Sequence, residues 1–401
     1  MLVQFMFKNV LSFKDETVFD MTAINAYKEH PENLIDLGNG EKFLRVSAIY
    51  GANASGKSNL NLAMYLFRNI VVESLNNADE EKRLPIEKYY LPFSFVDEEE
   101  SSEFEIINII DNDEYRYGFE YNAQCIVSEW LYKKSLKTNR TVTVFERTTD
   151  SVEFGASVRK ECDLYKEQVP QETLVLSFFN KLKLKTDVFN RLFNSIATMI
   201  ILTAKFNSNY QEDIKLITDF LPSIIDKEKD KLMQFLTAID TGIVDINYRE
   251  QNGEKVFMTA HRGRNGENYE LNLMRESSGT IKSIVLFIHA AFIVSFDGML
   301  FIDELNTKLH PLLLKFIVDL FYDNDSMAQL IYTTHDTTLM DKKFFRRDQI
   351  WFVEKDEFGE SKLFALSDYK VRSDASFEKD YLAGVYGGIP MLKEFSMKEG
   401  E

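Results

Sequence analysis

One eight-residue segment constrains the fold and chemistry of this chain more than any other feature. Residues 51–58 read Gly-Ala-Asn-Ala-Ser-Gly-Lys-Ser, which matches the phosphate-binding loop (P-loop) pattern at every fixed position. The two glycines allow the backbone to turn with its N–H groups facing inward. Lys57 can reach the terminal phosphates of a nucleotide, and the Ser58 hydroxyl can ligate magnesium. The segment therefore predicts binding of a nucleoside triphosphate, with ATP and Mg²⁺ as the expected pair.

The sequence around the P-loop supports this interpretation. Residues 46–50 predict a short apolar strand that ends at the loop. After Gly56, apolar residues recur at helical spacing, which predicts a helix whose N-terminus favours anions. The alternative, an ordinary glycine-rich turn, is disfavoured by this context. The predicted nucleotide-binding residues are Asn53, Ala54, Ser55, Gly56, Lys57, Ser58 and Asn59.

Composition narrows the class of protein. The chain has 401 residues, of which 45% are hydrophobic and 28% charged, as expected for a globular protein. No basic-then-apolar signal opens the sequence, and an apolar run such as 284–296 is too short to span a bilayer, so we expect a cytoplasmic protein with no membrane contact.

The net charge of -17 argues against a broadly basic surface for nucleic acid, although a local patch is compatible with it. Cys125 and Cys162 lack metal-like spacing, so neither a zinc site nor a disulfide framework is expected.

Hydrophobic periodicity changes twice along the chain. Strand-like alternation opens the sequence and returns as a predicted antiparallel meander over residues 104–132. Its stripe of aromatic residues, 115–121, could stack on bases, but in a half-buried strand it is better interpreted as core. Helical spacing dominates residues 174–239, and strand signals return from residue 243. These changes predict an α/β protein with a helical insertion.

A second chemical motif lies at residues 299–304, where four apolar residues precede two carboxylates. A buried parallel strand would deliver both acids to its carboxyl end. In that position Asp303 would hold magnesium through water, and Glu304 would orient or deprotonate the attacking water. An apolar strand that ends in Asp-Glu is common by chance, but its occurrence downstream of a complete P-loop favours the functional interpretation.

Two further segments could contact phosphate. Ser277, Ser278 and Gly279 precede a predicted apolar helix and could form a second anion cradle, although taken alone they are better explained by simple serine capping of the helix. His335 ends a predicted strand about thirty residues after Glu304, where it could touch a terminal phosphate.

The order of these four motifs resembles that of ABC-type ATPases, in particular the soluble branch related to SMC, RecF and OLD-type proteins. The resemblance implies that residues 51–58 are Walker A, 277–279 the signature, Asp303 and Glu304 Walker B, and His335 the switch histidine. It also implies an ABC-ATPase head, with a P-loop NTPase core containing a mixed sheet, an antiparallel β lobe and a helical insertion. The expected segments are lobe I at 1–155, the helical insertion at 156–242 and lobe II at 243–401.

Within that branch, the chain is similar to the RloA or AbiLi class of phage-defence ATPases. The similarity rests on the Asn-Leu pair after the P-loop, the Leu-His-Pro segment at 309–311 and the Gly-Gly-Ile-Pro segment at 387–390. Two features depart from the wider family pattern. The signature reads Glu-Ser-Ser-Gly-Thr, and the usual glutamine of the lobe switch has no clear counterpart, since Gln124 lies at a predicted hairpin turn.

The resemblance implies a homodimer in which ATP on one subunit's P-loop is covered by the signature helix of the other. Binding would close the dimer and hydrolysis would reopen it. One hypothesis makes the chain the ATPase sensor or scaffold of a defence system that controls a separate effector, such as a nuclease. The alternative is a DNA-repair or recombination ATPase that clamps nucleic acid directly, for which the basic runs at 181–185 or 346–347 are the candidate surfaces. A purely structural nucleotide-binding protein is disfavoured because Glu304 and His335 are both present.

Overall fold

The structure is a computed structural model that describes residues 1–76, 84–96, 100–203, 210–239, 241–251, 253–307, 309–322, 325–372 and 375–389. Pro390, which ends the Gly-Gly-Ile-Pro segment, lies outside the described residues. The strands are β1 Leu2–Lys8, β2 Thr17–Asp20, β3 Leu34–Asp36, β4 Lys42–Leu44, β5 Val46–Gly51, β6 Ser102–Ile110, β7 Asp113–Tyr121, β8 Ile126–Ser135, β9 Arg140–Thr148, β10 Val152–Phe154, β11 Ile200–Leu202, β12 Ile243–Gln251, β13 Glu254–Arg262, β14 Asn268–Asn272, β15 Met299–Ile302, β16 Gln329–Thr333, β17 Ile350–Lys355 and β18 Ser361–Ala365. The α-helices are α1 Lys57–Glu73, α2 Pro85–Lys88, α3 Arg159–Cys162, α4 Val175–Asn180, α5 Val188–Ala197, α6 Tyr210–Ala238, α7 Ser278–Ser295, α8 Pro311–Tyr322 and α9 Phe377–Leu382.

A mixed six-stranded sheet forms the centre of the molecule, in the order β11-β15-β16-β5-β17-β18. Every pair in it is parallel except β17 with β18, which is antiparallel. Strands β5, β15 and β16 are mostly apolar and buried along their whole length, as expected for the interior of a parallel sheet. Their parallel pairing places their carboxyl ends at one edge of the sheet, where ligands bind in open α/β folds.

A second, antiparallel sheet of seven strands has the order β10-β9-β8-β7-β6-β1-β2 and contains the predicted meander. Helix α1 packs between the two sheets, because its apolar residues belong to the same core cluster as the inner residues of both. Phe67 on α1 stacks on Phe119 of β7 with ring centroids 5.8 Å apart. The aromatic stripe 115–121 therefore contributes to the core, as predicted, with Tyr115, Tyr117, Phe119 and Tyr121 fully buried.

The other face of the central sheet is covered by α6, α7 and α8, which share a second core cluster with it. Helix α6 has 29 residues, contains Pro222 and is kinked at Glu228, whose φ of -135° is not helical. The hairpin that follows joins β12 and β13, and β14 completes a small three-stranded antiparallel sheet. Contacts of α6 with both α7 and β12 connect these parts of the second half of the chain.

The segment predicted to be a helical insertion, 156–242, is not helical throughout. Ile200 to Leu202 form β11, which pairs in parallel with β15 at the edge of the central sheet. Three apolar residues carry no period long enough to separate a short strand from a helix, so this strand was missed. The three-segment division itself stays a prediction.

Helix α7 is the one described helix that is long and apolar enough to cross a membrane, with 18 residues and a mean hydropathy of 1.6. From the sequence, the apolar run 284–296 was expected to be too short to span a bilayer. The helix that contains most of this run is longer, because it already begins at Ser278. Most of the helix, 61%, is buried inside the protein. Core helices commonly have these properties, so they give little support for a membrane span.

Candidate nucleotide-binding site

The predicted P-loop connects β5 to α1, and its shape depends on glycine. Gly56 is the N-cap of α1 and has a φ of 114°, a backbone conformation that residues with a side chain rarely adopt. A Cβ atom on Gly56 would also lie 2.3 Å from the Ser361 hydroxyl, and one on Gly51 would lie 2.4 Å from the Val353 carbonyl oxygen. Both glycines therefore allow the hairpin of β17 and β18 to approach the loop closely.

Lys57 is folded back onto the loop. Its ammonium donates hydrogen bonds to the carbonyl oxygens of Gly51 and Ala52, each at 2.8 Å. Burial lowers the pKa of Lys57 to about 8, while the nearby charges of Asp303 and Glu304 act to raise it. A buried ammonium held only by loop carbonyls is placed to exchange them for a stronger anionic partner.

Asp303 lies at the end of β15, directly beside the P-loop. Its carboxylate accepts hydrogen bonds from the hydroxyls of Thr333, at 2.6 Å, and Ser58. Burial raises the pKa of Asp303, and these hydrogen bonds and the charge of Lys57 oppose that rise. The two predicted metal ligands, Ser58 and Asp303, are therefore in direct contact.

The oxygen donors around Asp303 fit magnesium. Among the described residues, no group of three or more histidine, cysteine, aspartate or glutamate side chains could hold a metal alone. Mg²⁺, however, is commonly held by one or two carboxylates together with substrate phosphates and water. The Ser58 hydroxyl and the Asp303 carboxylate would supply the protein's share of such a site.

Glu304 and His335 face each other across the ends of β15 and β16. The distance from Glu304 Oε1 to His335 Nε2 is 3.9 Å, and both side chains are more than one-third exposed. Burial is the main cause that lowers the pKa of His335, and the charge of Lys57 acts in the same direction. Glu304 has a positive φ of 52°, and its N–H donates to the Thr333 hydroxyl at 2.8 Å. The predicted catalytic pair is thus open to a ligand and fixed through its backbone.

Two residues that were not predicted hold this pair in place. Thr333 bonds to both Asp303 and Glu304, as described above. Asn306 Oδ1 accepts hydrogen bonds from the Thr334 hydroxyl at 2.9 Å and from the His335 N–H at 3.4 Å. The signal in the sequence was the polar residues near the end of each strand, Asn306 and Thr307 shortly after Glu304, and Thr333 and Thr334 directly before His335.

Asn59 belongs to a polar cluster that joins the P-loop and the start of α1 to Ser12 and Ser361. Its amide donates to the Ser12 hydroxyl at 2.8 Å, and Ser361 Oγ lies 2.8 Å from Ser12 Oγ and 2.7 Å from the Ser55 carbonyl oxygen. A cavity of about 380 Å³ opens beside this cluster. Its lining includes Leu11, Ser12, Asn59, Tyr90, Phe93 and Lys355. Ser12 and Ser361 were missed because they lie far from the motif in sequence.

The predicted signature residues lie at the start of α7, away from the P-loop of the same chain. Ser277 caps the helix, and its hydroxyl accepts from the Thr280 N–H at 3.1 Å. Ser277 and Ser278 are exposed. Among the residues that the structure describes, no hydrogen bond or ion pair joins 277–279 to 51–58. The structure therefore brings together all predicted site residues except these three, and the capping alternative holds for Ser277.

Comparison with known families identifies the chain. Residues 46–341 match the model of the family AAA_21, described as "AAA domain, putative AbiEii toxin, Type IV TA system". The chain belongs to this family. The match begins with β5 and includes the P-loop, residues 277–279, Asp303, Glu304 and His335. The AAA_21 assignment confirms the predicted P-loop ATPase family and α/β fold class, while membership of the RloA or AbiLi branch stays a prediction.

Solved structures with a similar fold include heads of SMC proteins. The "SmcHead bound to the C-winged helix domain of ScpA" is 14% identical, with a TM-score of 0.44, and the match covers 95% of this chain and 99% of that one. The "SMC head domain from Thermotoga maritima" is 12% identical, with a TM-score of 0.42, and the match covers 91% of this chain and 98% of that one. Comparison with curated proteins gives no significant match.

Proposed function

We propose that this AAA_21 protein binds and hydrolyses ATP, with Mg²⁺, in a dimer that opens and closes with the nucleotide. The observation that supports this most strongly is the convergence of the predicted residues at one sheet edge. Lys57, Ser58 and Asp303 are in contact or in strong electrostatic interaction there, and the pair of Glu304 and His335 lies beside them. Phosphoryl transfer to water depends mostly on positioning and charge stabilisation, which such a cluster supplies.

Each residue has a distinct part in this reaction. Lys57 releases the loop carbonyls and binds the β- and γ-phosphates, where its positive charge is most stabilised. Ser58 and Asp303 would hold Mg²⁺, which would supply positive charge to neutralise that developing on the phosphates. Glu304 accepts a proton from the attacking water, and His335 donates a hydrogen bond to the γ-phosphate. The exposure of both side chains leaves room for that water and that phosphate.

The cavity beside Asn59 would hold the nucleotide's base. It adjoins the start of α1, and its lining combines apolar and aromatic residues such as Leu11, Tyr90 and Phe93 with the Lys355 ammonium. Ligand sites typically combine an apolar surface with a few polar groups in this way.

A second copy of the chain would complete the site. The exposed Ser277 and Ser278 and the N-terminus of α7 offer donors for a γ-phosphate, but in one chain they do not reach the P-loop. We propose that they cover the nucleotide of the partner subunit, so that ATP holds two copies together. The dimer would act as a sensor or scaffold that controls a separate effector in anti-phage defence, in agreement with the toxin and Type IV system in the family's description.

The alternative of a nucleic-acid clamp receives less support from the basic runs. Arg346 is 1% exposed and bonds to Asp348, so it is unavailable to phosphate groups. Lys181, Lys183 and Lys185 are exposed. The protein as a whole, however, has a net charge of -17, which repels the phosphates of a nucleic acid. The defence role is therefore the preferred proposal.

The deciding experiment compares the wild-type chain with Glu304→Gln, measuring ATP hydrolysis and molecular mass with and without ATP and Mg²⁺. We expect the wild type to hydrolyse ATP, and the variant to lose at least about 99% of turnover while remaining an ATP-bound dimer. Glu153→Gln, at an exposed position of β10, the outer strand of the antiparallel sheet, is the matched control and should behave as wild type. Absence of both hydrolysis and a change of mass in the wild type would contradict the proposal.

A further inference from the structure

We propose that Glu276 is a positioning residue. It holds the Ser277–Gly279 turn in the geometry needed to contact the nucleotide bound to a second copy of the chain. This inference rests on the proposed ATP-dependent dimer. Glu276 lies directly before Ser277, the N-cap of α7, and its side chain bonds to the three-stranded sheet. It therefore attaches the beginning of α7 to a separate structural element.

The attachment is short and largely buried. One oxygen of Glu276, Oε1, accepts hydrogen bonds from the Thr259 hydroxyl at 2.5 Å and from His261 Nε2 at 2.7 Å. Only 8% of the Glu276 side chain is exposed, and Thr259 is fully buried. Hydrogen bonds to a shielded carboxylate are stronger than those between neutral groups. Two such bonds on a single atom strongly restrict the position of residue 276 and of the turn that follows.

The element that receives Glu276 is itself firmly held. Thr259 and His261 lie on β13, the central strand of the three-stranded sheet. That sheet is tied to α6 by an ion pair between Lys229 and Asp245, at 2.6 Å, and by contacts between α6 and β12. The Ser277–Gly279 turn is therefore supported from two directions, by α7 behind it and by β13 beside it.

A second interaction favours a negative charge on the side chain of residue 276. Glu276 lies just outside the first turn of α7, where the partial positive charge of the helix N-terminus stabilises a negative charge. Since α7 is 18 residues long, this interaction and the two hydrogen bonds act together on the same side chain. A neutral or shorter side chain would leave α7 in place through its core contacts, but would free the exposed turn at its N-terminus.

The test separates nucleotide binding by a single chain from ATP-dependent dimerisation. ATP affinity is measured at protein concentrations below those that give dimer, and dimer formation is measured by sedimentation with ATP and Mg²⁺, all in the Glu304→Gln background. We expect Glu276→Ala to keep the monomer's ATP affinity within about twofold and to raise the dimer dissociation constant at least about tenfold. Glu270→Ala is the matched control, because Glu270 is an exposed residue of the same sheet.

A second pair of variants addresses folding. Thr259→Val removes one donor to Glu276 while keeping the shape, and Thr259→Ser keeps the hydroxyl. We expect Val to weaken the dimer several-fold and Ser to restore most of it, with circular dichroism unchanged. Dimerisation of Glu276→Ala equal to that of the control would overturn the inference while leaving the ATPase proposal intact. No ATP-dependent dimer in the Glu304→Gln parent would overturn both.

Discussion

At the scale of the residue, the charge of Lys57 depends strongly on its surroundings. Burial lowers its pKa to about 8, so the free protein loses this charge as the pH rises through 8. Phosphates stabilise the protonated form and raise the pKa of Lys57 in the complex. ATP affinity is therefore expected to be constant below pH 8 and to fall above it, approaching tenfold per pH unit.

Equilibrium binding of ATP in the absence of hydrolysis, between pH 7 and pH 9.5, measures this dependence. Lys57→Met is the control, because methionine has a similar length and no charge to lose. Its affinity should be weak at every pH and should show no break near 8. An equally flat profile in the wild type would mean that the loop does not use the charge of Lys57.

The sequence predicted the residues expected to act on ATP and Mg²⁺ but not those that orient them. Lys57, Ser58, Asp303 and Glu304 belong to local motifs, in which spacing alone indicates the chemistry. Thr333 contacts Asp303 only because β15 and β16 pair in parallel with a particular register. Pairing of strands that are distant in sequence follows from the packing of the whole sheet, and a single sequence contains no local pattern that specifies it.

At the scale of the element, the loops after β15 and β16 act as one unit through Asn306. Its side-chain oxygen bonds to the Thr334 hydroxyl and the His335 N–H. Asn306→Ala should therefore free the loop that carries His335 and lower kcat about tenfold, with little change in ATP affinity, because positioning of the catalytic pair is lost and the P-loop is untouched.

Steady-state hydrolysis together with equilibrium ATP binding tests this expectation. Asn265→Ala provides the control, since Asn265 lies in the exposed turn between β13 and β14. A fall in ATP affinity as large as the fall in kcat would contradict the proposed role and would indicate a general disturbance of the site.

Prediction at this scale succeeded where an element is long. The strands of the meander have nine or ten residues each and appear as predicted, and β7 alternates between aromatic and other residues along most of its length. Strand β11 has only three residues and depends on β15 for its hydrogen bonds. Its existence reflects tertiary pairing, so local periodicity could not reveal it.

At the scale of the whole molecule, a buried arginine joins the first and last parts of the chain. Arg346 donates to the carbonyl oxygens of Ile24, Tyr27 and Glu29 at 3.0–3.1 Å, and also to both oxygens of Asp348. Asp348 in turn accepts from the Ile24 N–H at 2.8 Å. The segment before β3 is thereby held against the segment before β17, and through it against the central sheet.

Removing this arginine should destabilise the fold as a whole. Arg346→Ala leaves the Asp348 carboxylate buried without its cation and three carbonyls without a donor, which should lower the free energy of unfolding by about 3–5 kcal/mol. Arg347→Ala is a control at the next position, where the partly exposed side chain should contribute about 1 kcal/mol or less. Denaturant unfolding of both variants measures the difference. Equal losses of stability would show that the buried pair does not join the two parts of the chain. If Arg346→Ala left stability unchanged but abolished nucleic-acid binding, the result would favour the alternative function of a nucleic-acid clamp.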